Sequence, residues 1–173
     1  MTSRTRSDKP ILLDFIRFFL SGRTFNQKRN VGFYSDDSIG YQYSGQIAHS
    51  KPLYAHPWLW QMMDRINKDM DTNFNGILIN GYSSGEKYIS PHADNEYHLD
   101  KKKKYVVSIC FGAERIFRIR KKITKEIVYD HLHKAGELLV MSGDFQKHYT
   151  HEIIRDPKIK DARYSLTFRS HVD

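Results

Sequence analysis

From residue 74 onward the chain consists of short runs with β character, each closed by a turn, and this spacing restricts the folds open to it. The runs are residues 74 to 82, 105 to 111, 114 to 121, 126 to 132, 137 to 142, 148 to 154 and 162 to 171. Many short strands at such intervals predict a sandwich or barrel-like double sheet, with a small-molecule site between the sheets. Ahead of them, "HPWLWQMMDRINKDM" reads as a helix, with Pro57 near its start and Trp58, Met62, Ile66 and Met70 recurring every four residues as core positions. Residues 24 to 45 read as loops with short strands, residues 11 to 20 as helix or strand, and residues 1 to 9 as a loose polar end. The expected class is α+β: a packing helix N-terminal to a double-stranded β-helix (jelly-roll) core, in a single domain over residues 10 to 173.

Composition narrows the function. The one cysteine, Cys110, lies in the apolar run "YVVSICFG", which predicts a buried, inert thiol and a reducing intracellular compartment. "ILLDFIRFFL" is interrupted by Asp14 and Arg17, and no other stretch approaches the length needed to span a bilayer, so a soluble protein without a secretory signal is expected. The net charge of +8 is clustered at Lys101 to Lys104 and at Arg115, Arg118, Arg120, Lys121, Lys122 and Lys125. A lysine run is ordinarily a solvated loop, but beside 13% aromatic residues it points to a polyanionic partner, a nucleic acid above all.

The chemistry begins at "SPHADNEYHLD", where His92 and Asp94 stand two apart in an extended segment and so project to the same side. A third ligand is available in "KHYTHEIIR", where His148 and His151 are three apart and face opposite ways on a strand; the spacing leaves open which of them points inward. Two histidines and one carboxylate form a facial triad for iron, with room for a bidentate cosubstrate and dioxygen. In "ARYSLTFRSH", Arg163, Ser165, Thr167 and Arg169 alternate with Tyr164, Leu166 and Phe168. Two arginines facing a cavity demand carboxylates, which a dicarboxylate cosubstrate supplies; the competing reading is a solvated strand face.

"NGYSSGEKYISPHAD", "FGAERIFRIR", "GELLVMSGDFQKHYTHEI" and "RYSLTFR" resemble, in order, the motif series of the AlkB-like dioxygenases, over about residues 28 to 170. The resemblance implies an Fe(II)/2-oxoglutarate-dependent demethylase repairing alkylated bases in DNA or RNA, releasing formaldehyde, succinate and CO2. It makes His92, Asp94 and His151 the iron ligands, with His148 a neighbour on the opposite face. Asn80 and Tyr82 match positions that hydrogen-bond 2-oxoglutarate, Arg169 the arginine on its distal carboxylate, and Arg163 an arginine near the cosubstrate and the iron-bound aspartate, with Thr167 between them. "SIGYQYSG", in a nucleotide-recognition segment near residues 28 to 48, implies that Tyr43 stacks on a flipped base, with Tyr41, Ser44 and Glu96 at the rim. His98 reads as a loop residue.

Two features depart from the pattern. Ser165 stands where the family usually has asparagine, and "MSGDFQ" replaces a proline-bearing turn of some relatives. The connection from Arg120 to Lys125 is shorter than in relatives that grip a duplex, which favours a single-stranded substrate. A monomer is expected. The alternatives are a catalytically weak nucleic-acid-binding module and a same-fold protein hydroxylase, followed by a zinc hydrolase with no use for Asn80, Tyr82 and Arg169.

Overall fold

The computed structural model describes residues 29–43, 46–94 and 105–172. Its strands are β1 (Asn30–Ser35), β2 (Gly40–Tyr43), β3 (Gln46–Lys51), β4 (Gly76–Tyr82), β5 (Ile89–His92), β6 (Val106–Gly112), β7 (Arg115–Lys121), β8 (Ile127–His133), β9 (Leu138–Met141), β10 (Tyr149–Ile153) and β11 (Arg163–Arg169). They form a seven-stranded sheet in the order β2-β3-β1-β4-β11-β6-β9 and a four-stranded sheet in the order β5-β10-β7-β8. The β1–β3 pair is parallel, whereas the central β4–β11 and β11–β6 pairs and all pairs of the smaller sheet are antiparallel.

Period-two alternation in β4 and β11 explains how the layers meet. Ile77, Ile79, Leu166 and Phe168 point to one face, where Leu59, Met63 and Ile66 of helix α1 (Pro57–Met70) cover them. On the other face Tyr82 joins Val106 and Met141 against Phe117 and Ile153 of the smaller sheet. With a helix on one side and a sheet on the other, β11 is buried at every residue, so polar groups on its inner face must find partners in the interior.

The helix stripe is centred on Leu59, Met63 and Ile66; Trp58, Met62 and Met70 are partly buried at its flanks. A strict four-residue spacing drifts around a helix of 3.6 residues per turn, so the stripe shifts by one position. Strands β1 to β3 come before α1 and extend the larger sheet; β1 and β2 fall within residues 24 to 45, where short strands were expected. The described residues are mostly β, with α1 as the one long helix among them. Strand β5 escaped the sequence reading because it contains Pro91, and its place at a sheet edge is where proline is tolerated. The "SGDFQ" turn continues into a short helix α2 (Phe145–His148), which takes His148 off strand β10 and leaves it exposed. No helix of the described residues is long and apolar enough to cross a membrane. Residues 1 to 9 and 11 to 20, His98 and Lys101 to Lys104, for which expectations were given above, lie outside the described residues.

The fold draws much of the basic run of β7 into contacts within the protein. Arg115 is buried, donating to the carbonyls of Ser84, Gly85, Lys87 and Ile154. Arg118 pairs with Asp130, Arg120 with Glu152 and Lys121 with Glu126. Neighbouring acids thus pair with three of these cations, whereas Lys122 and Lys125 donate to the carbonyls of Gln146 and Lys122.

The turn held by Arg115 packs directly on the segment before β11. Gly85 N–H donates to Ile159 O at 2.8 Å, and Asp156 N–H donates to Gly85 O at 2.9 Å. A Cβ at position 85 would fall 1.8 Å from the Asp156 carbonyl oxygen, so backbone would have to move. Gly85→Ala is expected to cost about 1–3 kcal/mol, a fall of several degrees in Tm in a thermal melt. An unchanged Tm would refute the close approach.

Candidate metal centre

Strands β5 and β10 pair so that His92 lies opposite His151, with ring centroids 4.3 Å apart. Asp94 follows just past the end of β5. Its Oδ1 lies 3.7 Å from His92 Nε2 and its Oδ2 3.8 Å from His151 Nε2, separations that two bonds of about 2.1 Å to one ion can span. All three donor atoms lie within 4.8 Å of one another.

Each ligand is prepared by its neighbours. His92 Nδ1 lies 2.9 Å from the Ser90 carbonyl, which can only accept, so the proton is on Nδ1 and the Nε2 lone pair faces Asp94. Phe117 stacks on His151 at 5.1 Å and 16°. The Asp94 backbone N–H donates to Gln146 Oε1 at 2.8 Å, which ties the segment after β5 to helix α2. Burial alone would raise the Asp94 pKa, but Arg169, whose Nη2 is 3.3 Å from Oδ2, together with the two histidines and Arg29 outweighs it and holds the carboxyl at about 2. Burial pushes the His151 pKa down to about 3 against the opposing pull of Asp94. At neutral pH the set is therefore an ionised carboxylate beside an unprotonated buried imidazole, as metal ligation requires. The His92 side chain is 32% exposed against 4% for Asp94 and 7% for His151, so the centre opens to solvent on the His92 side.

The pocket continues from the ligands between the sheets, lined by Tyr41, Asn80, Tyr82, Ser165 and Thr167 and by both arginines of β11. Arg163 and Arg169 are each 1% exposed but occupy opposite ends of the strand. Arg169 lies 4.9 Å from the Tyr41 ring centroid and reaches Asp94. Arg163 sits at the other end, opposite Tyr82 in the strand register and 5.6 Å from its ring centroid. This corrects the expectation that Arg163 lies near the aspartate, a position that Arg169 holds. Arg163 Nη2 is 3.1 Å from His133 Nδ1, whereas its Nε and Nη1 are buried without a hydrogen-bond partner among the described residues. Burial raises the Tyr82 phenol's pKa, so it remains a hydrogen-bond donor at neutral pH.

Asn80 stands opposite Ser165 in the β4–β11 register, and its Oδ1 accepts from Arg29 Nε at 2.8 Å. Tyr41, expected at a rim, forms part of the buried wall and packs on Phe33. The Tyr43 side chain, Ser44 and Glu96 lie outside the described residues. Cys110 is buried as expected, and burial raises its thiol pKa. The sequence reading missed Arg29, Phe117, His133 and Gln146 as pocket or supporting residues. Alternation along β7 puts Phe117 and Ile119 on the inner face and could have indicated Phe117. The other three join the site through contacts across the fold that no local pattern announces.

Two histidines and a carboxylate at the mouth of a pocket, with a buried arginine holding two unused donors deeper in, make the donor set of a non-haem iron oxygenase with an acidic cosubstrate. The family model described as the 2OG-Fe(II) oxygenase superfamily matches residues 19–169. The chain is 29% identical over 155 residues to alpha-ketoglutarate-dependent dioxygenase alkB homolog 3 of Homo sapiens, covering 85% of this chain and 53% of that protein. It is 31% identical over 156 residues to DNA oxidative demethylase ALKBH2 of Bos taurus, covering 86% of this chain and 55% of that protein. A solved structure described as "The structure of OsALKBH1" shares the fold with a TM-score of 0.61 at 14% identity, covering 93% of this chain and 91% of that one. The chain therefore belongs to the 2OG-Fe(II) oxygenase superfamily, and His92, Asp94 and His151 form a donor set that could hold its metal ion. The chain spans about half the length of the curated relatives it matches.

Gln146→Leu removes the acceptor of the Asp94 N–H and is expected to weaken metal binding by about 10–100-fold. Titration of the purified protein with Mn(II) measures this. Unaltered affinity in a folded variant would show that Gln146 does not position Asp94.

Proposed function

We propose that this protein is an oxidative demethylase of N-alkylated nucleic-acid bases, acting on single-stranded DNA or RNA, with its two facing sheets forming a double-stranded β-helix. The observation that carries the reading is the coexistence, in one pocket, of the His92, Asp94 and His151 donor set with a buried arginine that lacks an acid. A buried guanidinium without a counter-ion is costly, and a dicarboxylate cosubstrate relieves that cost.

In this reading His92, Asp94 and His151 hold Fe(II), which with 2-oxoglutarate and dioxygen supplies the oxidising chemistry that turns an N-methyl group into formaldehyde. Arg163, and not Arg169 as the resemblance implied, receives the distal carboxylate through its Nε and Nη1 protons, aided by the Tyr82 hydroxyl and Asn80. Arg169 keeps Asp94 ionised and oriented, a role distinct from that of Arg163. Thr167 supplies a polar wall between the two arginines, and Ser165 leaves more room opposite Asn80 than an asparagine would. Tyr41 offers an aromatic wall to an incoming base, which arrives from the open His92 side; Tyr43, Ser44 and Glu96 complete the substrate contacts. A base must leave its stack to enter, at a cost of a few kcal/mol in a duplex and less in a single strand.

Single strands are favoured by the β7–β8 hairpin. It closes at once, with Lys121 N–H on Glu126 O and Lys125 in the left-handed region at φ 63°, and so extends little toward a second strand. The names of relatives, among them "DNA oxidative demethylase", support the substrate class.

The test is formaldehyde release across a panel of N-methylated single- and double-stranded DNA and RNA oligonucleotides. Turnover on single strands that falls more than about 100-fold in Asp94→Ala is expected. Activity persisting in that variant would refute the donor set, and no turnover on any nucleic acid would refute the substrate class. The two arginines are expected to separate. Arg163→Leu weakens 2-oxoglutarate binding while leaving Mn(II) affinity within about threefold, whereas Arg169→Leu lowers metal affinity as well. Equal effects on both ligands would merge the roles.

A further inference from the structure

His133 ends strand β8, is 0% exposed, and takes no part in the roles assigned above. Its two ring nitrogens have partners that leave no choice of proton position. Nδ1 lies 3.1 Å from Arg163 Nη2, and a guanidinium can only donate. Nε2 lies 3.0 Å from the Glu137 carbonyl oxygen, which can only accept. The ring must therefore carry its single proton on Nε2 and present a lone pair to Arg163. A second proton would set an N–H against the guanidinium.

We propose that His133 is a positioning residue for the anion-binding arginine: a neutral imidazole that takes one Nη2 proton of Arg163 and so leaves Nε–H and Nη1–H for the distal carboxylate. The proposal rests on the cosubstrate reading given above and extends it to a residue that no ligand touches. A carboxylate at this position would neutralise Arg163 and compete with the cosubstrate, whereas an aliphatic residue would leave the guanidinium free to turn. A neutral acceptor orients it while leaving its charge unspent. The imidazole is itself held on two sides: Phe117 meets it edge-on at 6.3 Å, and the Glu137 carbonyl fixes Nε2. Burial and the charge of Arg163 lower its pKa, although the Glu137 hydrogen bond opposes them, so the ring is neutral under ordinary conditions.

Three proteins test this, with Mn(II) bound for affinity and Fe(II) for turnover: wild type, His133→Leu, which loses the acceptor, and His133→Asn, whose Oδ1 replaces Nδ1. Loss of a hydrogen bond to a charged group predicts that His133→Leu weakens 2-oxoglutarate about tenfold, with KM rising and kcat little changed, while His133→Asn stays within about threefold of wild type. Equal affinity in His133→Leu and wild type would overturn the proposal. So would a His133→Asn as weak as His133→Leu, since both remove the ring but only one removes the acceptor. A second measurement does not depend on the cosubstrate or on either variant folding. A two-dimensional nitrogen–proton correlation of the wild-type imidazole is expected to show a neutral Nε2–H ring; a proton on Nδ1 would overturn the proposal. Wild-type protein that binds no 2-oxoglutarate would refute the cosubstrate reading, leaving the Arg163 contact to be decided by the tautomer alone.

Discussion

The contact between Arg169 and Asp94 joins the two halves of this molecule. The arginine belongs to an inner strand of the larger sheet, and the carboxylate follows an edge strand of the smaller one; both are almost fully buried. Neither charge is tolerable in the interior alone, so each sheet can close only when the other supplies the partner. The closure also builds the site, because it fixes Asp94 as an ionised ligand between His92 and His151.

Strand β11 follows from the same constraint. Its apolar face is covered by α1 and its polar face closes over the pocket, so one seven-residue strand contributes to the core and to two chemically different places in the site. Arg169 is matched within the protein by an acid. Arg163 is matched by a neutral imidazole and keeps two donors unspent. The two residues are alike in type and burial and differ in what faces each of them.

Much of this was legible from the order of residues. The β runs from 74 onward, the helix at Pro57 and the alternation in "RYSLTFR" are local patterns with periods near two and four, and each fell within a few residues of its element. The misreadings had non-local causes. In β7 the chain order shows only a basic run, and it took the fold to bring Asp130, Glu152 and Glu126 against it and to draw Arg115 under the 84–87 turn. His148 read as a strand residue because a single helical turn leaves almost no periodic trace.

Sequence by itself determined the double-sheet class and the donor chemistry, since side-chain period and ligand type are written along the chain. It also placed His92 and Asp94 together, because two residues apart in an extended segment share a side. Tertiary structure alone decided that Arg169 and not Arg163 meets Asp94, that Gln146 meets the Asp94 backbone, and that His133 meets Arg163. Those pairings span 30 to 75 residues of sequence, with partners on different strands and turns. A contact of that kind exists only after the sheets have packed, when distance along the chain no longer decides which groups can touch.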